Sequence, residues 1–151
     1  MKKNNYKTLD LFAGIGGIRL GFETAGFETV FGNDFDAYCK VTYDLNFKDV
    51  PLKVVDIAQI KSADLPNFDI LLGGFPCQPF SIAGYRQGFL DTNRGNLFFE
   101  IIRILKDKQP KFFLAENVSG ILHPKHAEAF NAILKEFENA GYEVSHKLLN
   151  A

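Results

Sequence analysis

The chain has 151 residues, 46% of them apolar and 16 of them phenylalanine, enough to bury one sizeable core and to exclude a disordered chain. Lys and Arg total 17 against 18 Asp and Glu, so a formal net charge of -1 excludes a global electrostatic attraction to nucleic acid, and any such contact must be local. The two cysteines, Cys39 and Cys77, match no disulfide framework or zinc spacing; each reads as a free thiol in a reducing compartment, and no metal is expected. Met-Lys-Lys-Asn-Asn at the start lacks the apolar centre of a secretion signal, and no apolar run approaches the roughly 18 residues of a membrane span. A soluble, cytoplasmic protein without membrane contact is the expectation.

Apolar runs alternate with helical patterns along the whole chain. Thr8 to Phe12 reads as a strand, followed by a glycine-rich turn and a helix ending near Gly26. Glu28 to Asn33 reads as a second strand, and Asp36 as the N-cap of a helix with Tyr38, Val41 and Leu45 on one face. Lys53 to Val55 and Asp69 to Leu72 read as strands three and four, and the residues after Gly73, rich in Gly, Pro and aromatics, as a long functional loop. Leu97 to Leu105 reads as a helix and Lys111 to Glu116 as strand five. After Pro124, Phe130, Ile133, Leu134 and Phe137 recur at helical spacing until Gly141. Tyr142, Val144, His146 and Leu148 alternate as a sixth strand should, and such a strand, ending at Leu149, would present an unprotected edge that favours a complementing chain or self-association. This alternation implies an α/β fold, a doubly wound and mostly parallel sheet with ligands at the carboxyl ends of its strands.

The unusual residues stand just beyond successive strands, as Gly14-Ile15-Gly16-Gly17, Asp34, Asp56, Pro76-Cys77 and Glu116-Asn117. A doubly wound sheet gathers them in one crevice. Gly14, Gly16 and Gly17 let the backbone turn tightly and approach a ligand. The dinucleotide fingerprint G-x-G-x-x-G would need glycine at position 19, where this chain has Arg19, so a nicotinamide cofactor loses support while an adenosine-type cofactor keeps it. Asp34 follows Gly14 by 20 residues, the offset at which an acid accepts from ribose hydroxyls; the alternative is a solvated carboxylate at a strand end. Phe35 could cover an adenine face, although an aromatic residue there is more often core.

Cys77 lies in Gly73-Gly74-Phe75-Pro76-Cys77-Gln78-Pro79-Phe80-Ser81, where two prolines stiffen the turn around one thiol, a setting for a nucleophile rather than an inert core residue. Cys39, inside a helical pattern, has the opposite setting, that of a small core hydrophobe. Glu116 ends the apolar strand Phe112-Phe113-Leu114-Ala115, so its carboxyl is expected near a low-dielectric interior that raises its pKa; the alternatives are an exposed carboxylate or a helix cap.

Asp10-Leu11-Phe12-Ala13-Gly14-Ile15-Gly16-Gly17, Gly74-Phe75-Pro76-Cys77-Gln78-Pro79-Phe80-Ser81 and Glu116-Asn117-Val118 resemble three motifs of the bacterial cytosine-5 DNA methyltransferases, in order and spacing. Asn33-Asp34-Phe35-Asp36, Asp56-Ile57 and Asp91-Thr92-Asn93-Arg94-Gly95-Asn96-Leu97-Phe98-Phe99 resemble the intervening motifs, so the likeness runs from about residue 7 to the C-terminus. The resemblance implies a Rossmann-like S-adenosylmethionine-dependent methyltransferase fold acting on double-stranded DNA. In that mechanism the Cys77 thiolate adds to carbon 6 of a flipped-out cytosine while Glu116 holds and protonates ring nitrogen 3. Carbon 5 then takes the methyl group, and loss of its proton and of Cys77 releases 5-methylcytosine and S-adenosylhomocysteine. Flipping is required because stacking shields both carbons.

By the same resemblance Phe12, Ala13, Gly14, Ile15, Gly16, Gly17, Asp34, Phe35, Asp56, Ile57, Pro76 and Leu97 line the cofactor site, with Asp56 accepting from the adenine amino group. Asn117 braces the catalytic loop, and Gln78, Ser81 and Arg94 face DNA, Arg94 at a phosphate. Adenine and exocyclic-amine methyltransferases place an Asp/Asn-Pro-Pro-aromatic motif after strand four and need no thiol, so Pro76-Cys77 argues against them. Transfer-RNA relatives use a similar cysteine loop, but Phe75 before Pro76-Cys77 looks more like the bacterial DNA enzymes. A thiol oxidoreductase is disfavoured because Cys77 has no nearby resolving cysteine. The family continues into a Gln-Arg-x-Arg motif, a target-recognition region and a returning C-terminal segment that this sequence does not contain. The whole of residues 1–151 is therefore expected to be an incomplete catalytic and cofactor-binding domain, whose alternatives are an inactive cofactor-binding fragment or one subunit completed by a second chain carrying the target-recognition region.

Overall fold

Each of the first five apolar runs becomes a strand of one parallel sheet. The computed structural model describes residues 5–75 and 97–150. In chain order the elements are β1 (Lys7–Leu11), α1 (Gly17–Thr24), β2 (Glu28–Asp34), α2 (Ala37–Asn46), β3 (Lys53–Val54), β4 (Ile70–Gly74), α3 (Leu97–Lys108), β5 (Phe112–Glu116) and α4 (Ala127–Asn139). Short 3₁₀ turns follow β3, at Ile57–Gln59 and Ser62–Asp64. The strand order is β3-β2-β1-β4-β5 with every pairing parallel. The winding therefore reverses at β1, and the crevice of a doubly wound sheet opens between the carboxyl ends of β1 and β4. No helix among the described residues is long and apolar enough to cross a membrane.

The two faces of the sheet bury different chemistry. Leu9, Leu11 and Leu71 pack with Ile101, Ile104 and Leu105 of α3 and Ile133 and Phe137 of α4, forming the main apolar core. Gly73 lies beneath Ile101, which a Cβ would approach to 3.2 Å. The opposite face carries Thr8 and Asp10 and is covered by α1 and α2. There Tyr43, Phe47 and Leu52 form a small second cluster, and Gly32 is required because a Cβ would collide with the Tyr43 hydroxyl.

Arg19 enters this second face with no exposed surface. Its guanidinium donates to Glu23 at 2.6 Å, Asp49 at 2.7 Å, the Val50 carbonyl at 2.8 Å and the Tyr43 hydroxyl at 3.1 Å. A charge buried this deeply requires such partners, and here they fasten α1 to α2 and to the segment before β3. The position that a dinucleotide fold would give to glycine is thus occupied by a clamp.

Two expectations change. The inward stripe of α2 is Cys39, Tyr43 and Phe47, whereas Tyr38, Val41 and Leu45 are exposed, Tyr38 by 90%. The inner surface they would have needed is taken by Arg19 and its two aromatic partners. Residues 142–150 form no strand, since none of them enters the sheet's ladder. Tyr142 instead donates its hydroxyl to the Pro110 carbonyl at 2.9 Å and sets its ring edge-on to Phe113, and the His146 ring meets Phe130. An alternating sequence without a partner strand stays extended chain, so the unprotected edge expected there is absent.

Asp10 is fully buried among the α1-side groups, and neither carboxylate oxygen has a hydrogen-bond partner among the described residues. Burial pushes its pKa up to about 7 against the pull of Arg19, with Asp34 and Glu23 adding to the rise. The folded chain holds this proton to higher pH than the unfolded chain, so the associated stability is complete below about pH 4 and is lost as pH rises through about 7. Asp10→Asn is therefore expected to raise the thermal midpoint relative to the parent chain, by a margin that grows from pH 4 to pH 8 in circular-dichroism melts; a margin independent of pH would contradict it. Leu71→Ala, which hollows the main core, is expected to cost about 2–5 kcal/mol in a denaturant titration.

Candidate functional site

The parallel register brings five strand ends into one row. Leu11 pairs with Asn33 on one side and Gly73 on the other, Asn33 with Lys53, and Gly73 with Ala115. Phe12, Asp34, Asp56, Phe75 and Asn117 therefore follow from the same edge.

At the centre, the chain leaves β1 abruptly. Phe12 has φ of 53°, a left-handed conformation that bulky side chains rarely adopt, and Gly14 and Gly16 follow with φ of 53° and 93°. The Ala13 amide donates to the Asn33 carbonyl at 3.0 Å, and the Gly16 amide returns to the Ala13 carbonyl at 2.8 Å. Gly16 then caps α1 with no side-chain acceptor, leaving first-turn amides of the helix facing the turn. A Cβ at Gly16 would collide with the Phe47 ring, while the space beside Gly14 and Gly17 is open. Phe47 is itself backed by Arg19, whose guanidinium carbon lies 4.2 Å from the ring centroid. Ile15 at the tip of the turn is exposed.

Asp34, nearly buried, accepts from the Gly14 amide at 2.8 Å through one oxygen and from the Asp36 amide at 2.9 Å through the other. Each carboxylate oxygen can accept a further hydrogen bond. Phe35 beside it is 71% exposed, as a residue that covers a ligand face can be and a core residue cannot. The Val55 amide donates to the Asp34 carbonyl at 3.1 Å, which brings Asp56 alongside. Asp56 is exposed, and one of its oxygens caps the following turn at the Ala58 amide, 2.9 Å away. Ile57, the next residue, is buried in the main core beneath α3.

On the other side of β1, Glu116 pairs in register with Gly74, and a Cβ on that glycine would come within 3.2 Å of the Glu116 carboxylate. Glu116 is exposed rather than set against the apolar interior as expected. The reason is that β5 is an outer strand whose Phe112, Leu114 and Glu116 side lies largely open, while Phe113 and Ala115 face the core. Asn117 donates to the Phe75 carbonyl at 2.8 Å and so grips the chain at the root of the proline-cysteine segment. Its own side-chain oxygen is buried without a partner among the described residues. Leu97 opens α3 and packs partly against the main core. Pro76, Cys77, Gln78, Ser81 and Arg94 lie outside the described residues.

Cys39 stands apart from this row. Burial pushes its thiol pKa up, and the nearby Asp34 and Asp36 carboxylates push the same way, which keeps it protonated and unsuited to attack. Among the described residues no cluster of His, Cys, Asp and Glu could hold a metal ion.

Three residues shape the site in ways that the sequence did not show. Asn33, buried, donates to the Lys53 and Val55 carbonyls, each at 2.9 Å, and holds β3 to β2. Arg19 and Phe47 support the glycine turn from below. The one available signal was a charged residue at position 19, where a related turn would carry glycine.

Comparisons with known proteins show which family the chain resembles. The description "C-5 cytosine-specific DNA methylase" matches residues 6–151. The chain is 52% identical over 145 residues to the type II methyltransferase M.HaeII of Haemophilus aegyptius, covering 96% of this chain and 45% of that protein. It is 54% identical to M.FnuDI of Fusobacterium nucleatum, with 96% and 42% covered. A solved structure of DNMT2 from Spodoptera frugiperda superposes with a TM-score of 0.64 at 29% identity, over 87% of this chain and 41% of that one. The chain thus spans less than half the length of these relatives. Over the span that it does cover, the chain belongs to the C-5 cytosine-specific DNA methylase family.

Proposed function

We propose that this chain is the cofactor-binding and catalytic portion of an enzyme that moves a methyl group from S-adenosylmethionine to carbon 5 of a flipped-out cytosine in double-stranded DNA. The observation that carries the reading is the placement of the Glu116 carboxylate over Gly74, with Asn117 bonded to Phe75, two residues before Cys77.

The residues present fit an adenosine-type cofactor. The glycine turn offers backbone without side chains, Asp34 offers two oxygens with spare lone pairs, Phe35 an exposed ring and Asp56 an exposed carboxylate. Asp34 would hold the ribose hydroxyls and Asp56 the adenine amino group, while Phe12 through Gly17, Pro76 and Leu97 would complete the enclosure. S-adenosylmethionine supplies an electrophilic methyl group there. The Cys77 thiolate adds to carbon 6 of the base, which places the electron pair on carbon 5, and Glu116 holds ring nitrogen 3 and supplies the proton that the addition requires. After transfer, loss of the carbon-5 proton expels Cys77. Gln78, Ser81 and Arg94 lie in or near the same segment and would meet the DNA, and residues outside 1–151 would choose the sequence.

Covalent trapping tests the chemistry. The chain, S-adenosylmethionine and DNA containing 5-fluorocytosine, whose fluorine blocks elimination, are expected to give an adduct that mass spectrometry maps to Cys77. No adduct with cofactor binding retained would mean that the base must be delivered by residues outside this chain. Cys77→Ser is expected to abolish transfer and leave S-adenosylhomocysteine binding unchanged, whereas Asp34→Ala is expected to weaken that binding by about tenfold to a hundredfold. Equal loss of both functions in both variants would overturn the assignment.

A further inference from the structure

The residue read as the adenine acceptor is held on its β2 side only through Val55, whose amide and carbonyl bond to Asp34 and Asn33. Asp56 follows a strand of two residues, and the turn after it, Ile57–Gln59, has three. Neither element is long enough to fix a carboxylate, and the cap from Asp56 to Ala58 only shapes the turn's start.

What holds the turn comes from α3. Arg103 donates through Nη2 to the carbonyls of Ile60 at 3.0 Å and Ile57 at 3.4 Å, and through Nη1 to the Ser62 hydroxyl at 2.6 Å. Its Nε donates to Glu100 at 2.8 Å, and the same carboxylate pairs with Nη2 at 2.6 Å. The Ser62 hydroxyl in turn donates to Asp107 at 2.6 Å. One guanidinium therefore spans both 3₁₀ turns, and the charge needed to do so is balanced on its own helix by Glu100. The fork geometry matters, because a lysine ammonium has three donors on one atom and cannot reach two carbonyls, a hydroxyl and a carboxylate in this arrangement. The Ile57 side chain, buried under α3, seals the same contact from the apolar side.

We propose that Arg103 is a positioning residue that sets the Asp56 carboxylate and thereby makes the site select a 6-amino purine. The inference rests on the reading of Asp56 given above. In this reading Arg103 is not a ligand of the cofactor; it holds the Ile57 and Ile60 carbonyls of the turn that Asp56 caps. The α3 helix that carries it begins at Leu97, so the adenine end of the site and the end of the segment bearing Cys77 share one rigid element.

The test compares S-adenosylhomocysteine with S-inosylhomocysteine, which has a 6-oxo group in place of the amino group, by calorimetric binding to the full chain. The parent chain is expected to favour the adenine compound by about tenfold or more, since a site built to accept from an amino group rejects an analogue that lacks it. Arg103→Met is expected to cut that preference to about threefold or less, and Arg103→Lys to fall between, with thermal melts locating the assay well below each midpoint. Loss of stability alone would lower both affinities and leave their ratio unchanged, and such a result would overturn the proposal. Where Arg103→Met does not fold, the ratio in Arg103→Lys decides in the same way. Asp56→Ala separates the two claims. A preference lost in Asp56→Ala but kept in the Arg103 variants overturns the role of Arg103 only. A preference missing in the parent chain, or surviving in Asp56→Ala, overturns the reading of Asp56 and the proposal with it.

Discussion

The Asp34 carboxylate accepts one backbone amide from the turn after β1 and another from the start of α2, at 2.8 and 2.9 Å. Charge-assisted bonds of this kind are stronger than neutral ones, and two of them from one short side chain leave it a single orientation. The glycine turn has no side chain to hold it and contains Phe12 in a strained conformation, so its shape must be imposed from outside. Asp34 imposes it from the crevice side; Phe47 and Arg19 impose it from beneath. The features gathered at the sheet edge depend on this junction, because the turn of β1 lies at the middle of the row and every other strand end is placed by reference to it.

The sheet divides its labour between its faces. The α3 and α4 side is apolar and supplies most of the burial, whereas the α1 and α2 side hides an arginine, a tyrosine hydroxyl and an unpartnered aspartate. Buried polar groups of this kind contribute less to stability than leucine would, yet they restrict which arrangement of helices satisfies them. Arg19 can meet Glu23, Tyr43, Asp49 and Val50 together only when α1, α2 and the segment before β3 stand as they do. A similar logic operates on the other side at Arg103. Two arginines, neither at a motif position, hold the two ends of the proposed cofactor site.

The strands were legible because each is a short apolar run between a turn signal and a helical pattern, and their boundaries differ from expectation by only one or two residues. The gathering of motifs at one edge followed from parallel winding alone. Other features depend on partners that local sequence does not name. Tyr38, Val41 and Leu45 have helical spacing, but which face of α2 turns inward was decided by Arg19, nineteen residues or more before them in the chain. Residues 142–149 alternate as a strand does, and alternation reports a pleated chain without reporting a neighbour to pair with. Glu116 ends an apolar run, yet its exposure was set by the outer position of β5 in the sheet, a property of strand order. The burial of Asp10 was hidden for the same reason, since a charged residue carries no local mark of depth.

The central place of β1 also sets an order of assembly. Thr8 pairs with Thr29 on one side and with Ile70 on the other, 21 and 62 residues further along the chain. The first closure is short and can be completed by a chain that has been synthesised only as far as β2; the second must wait for about twice that length and close a larger loop. During that interval the inner edge of β1 displays a row of unpaired amides and carbonyls of the kind that recruits foreign strands. The strand that later anchors the cofactor turn is thus, for part of the protein's life on the ribosome, its most adhesive surface.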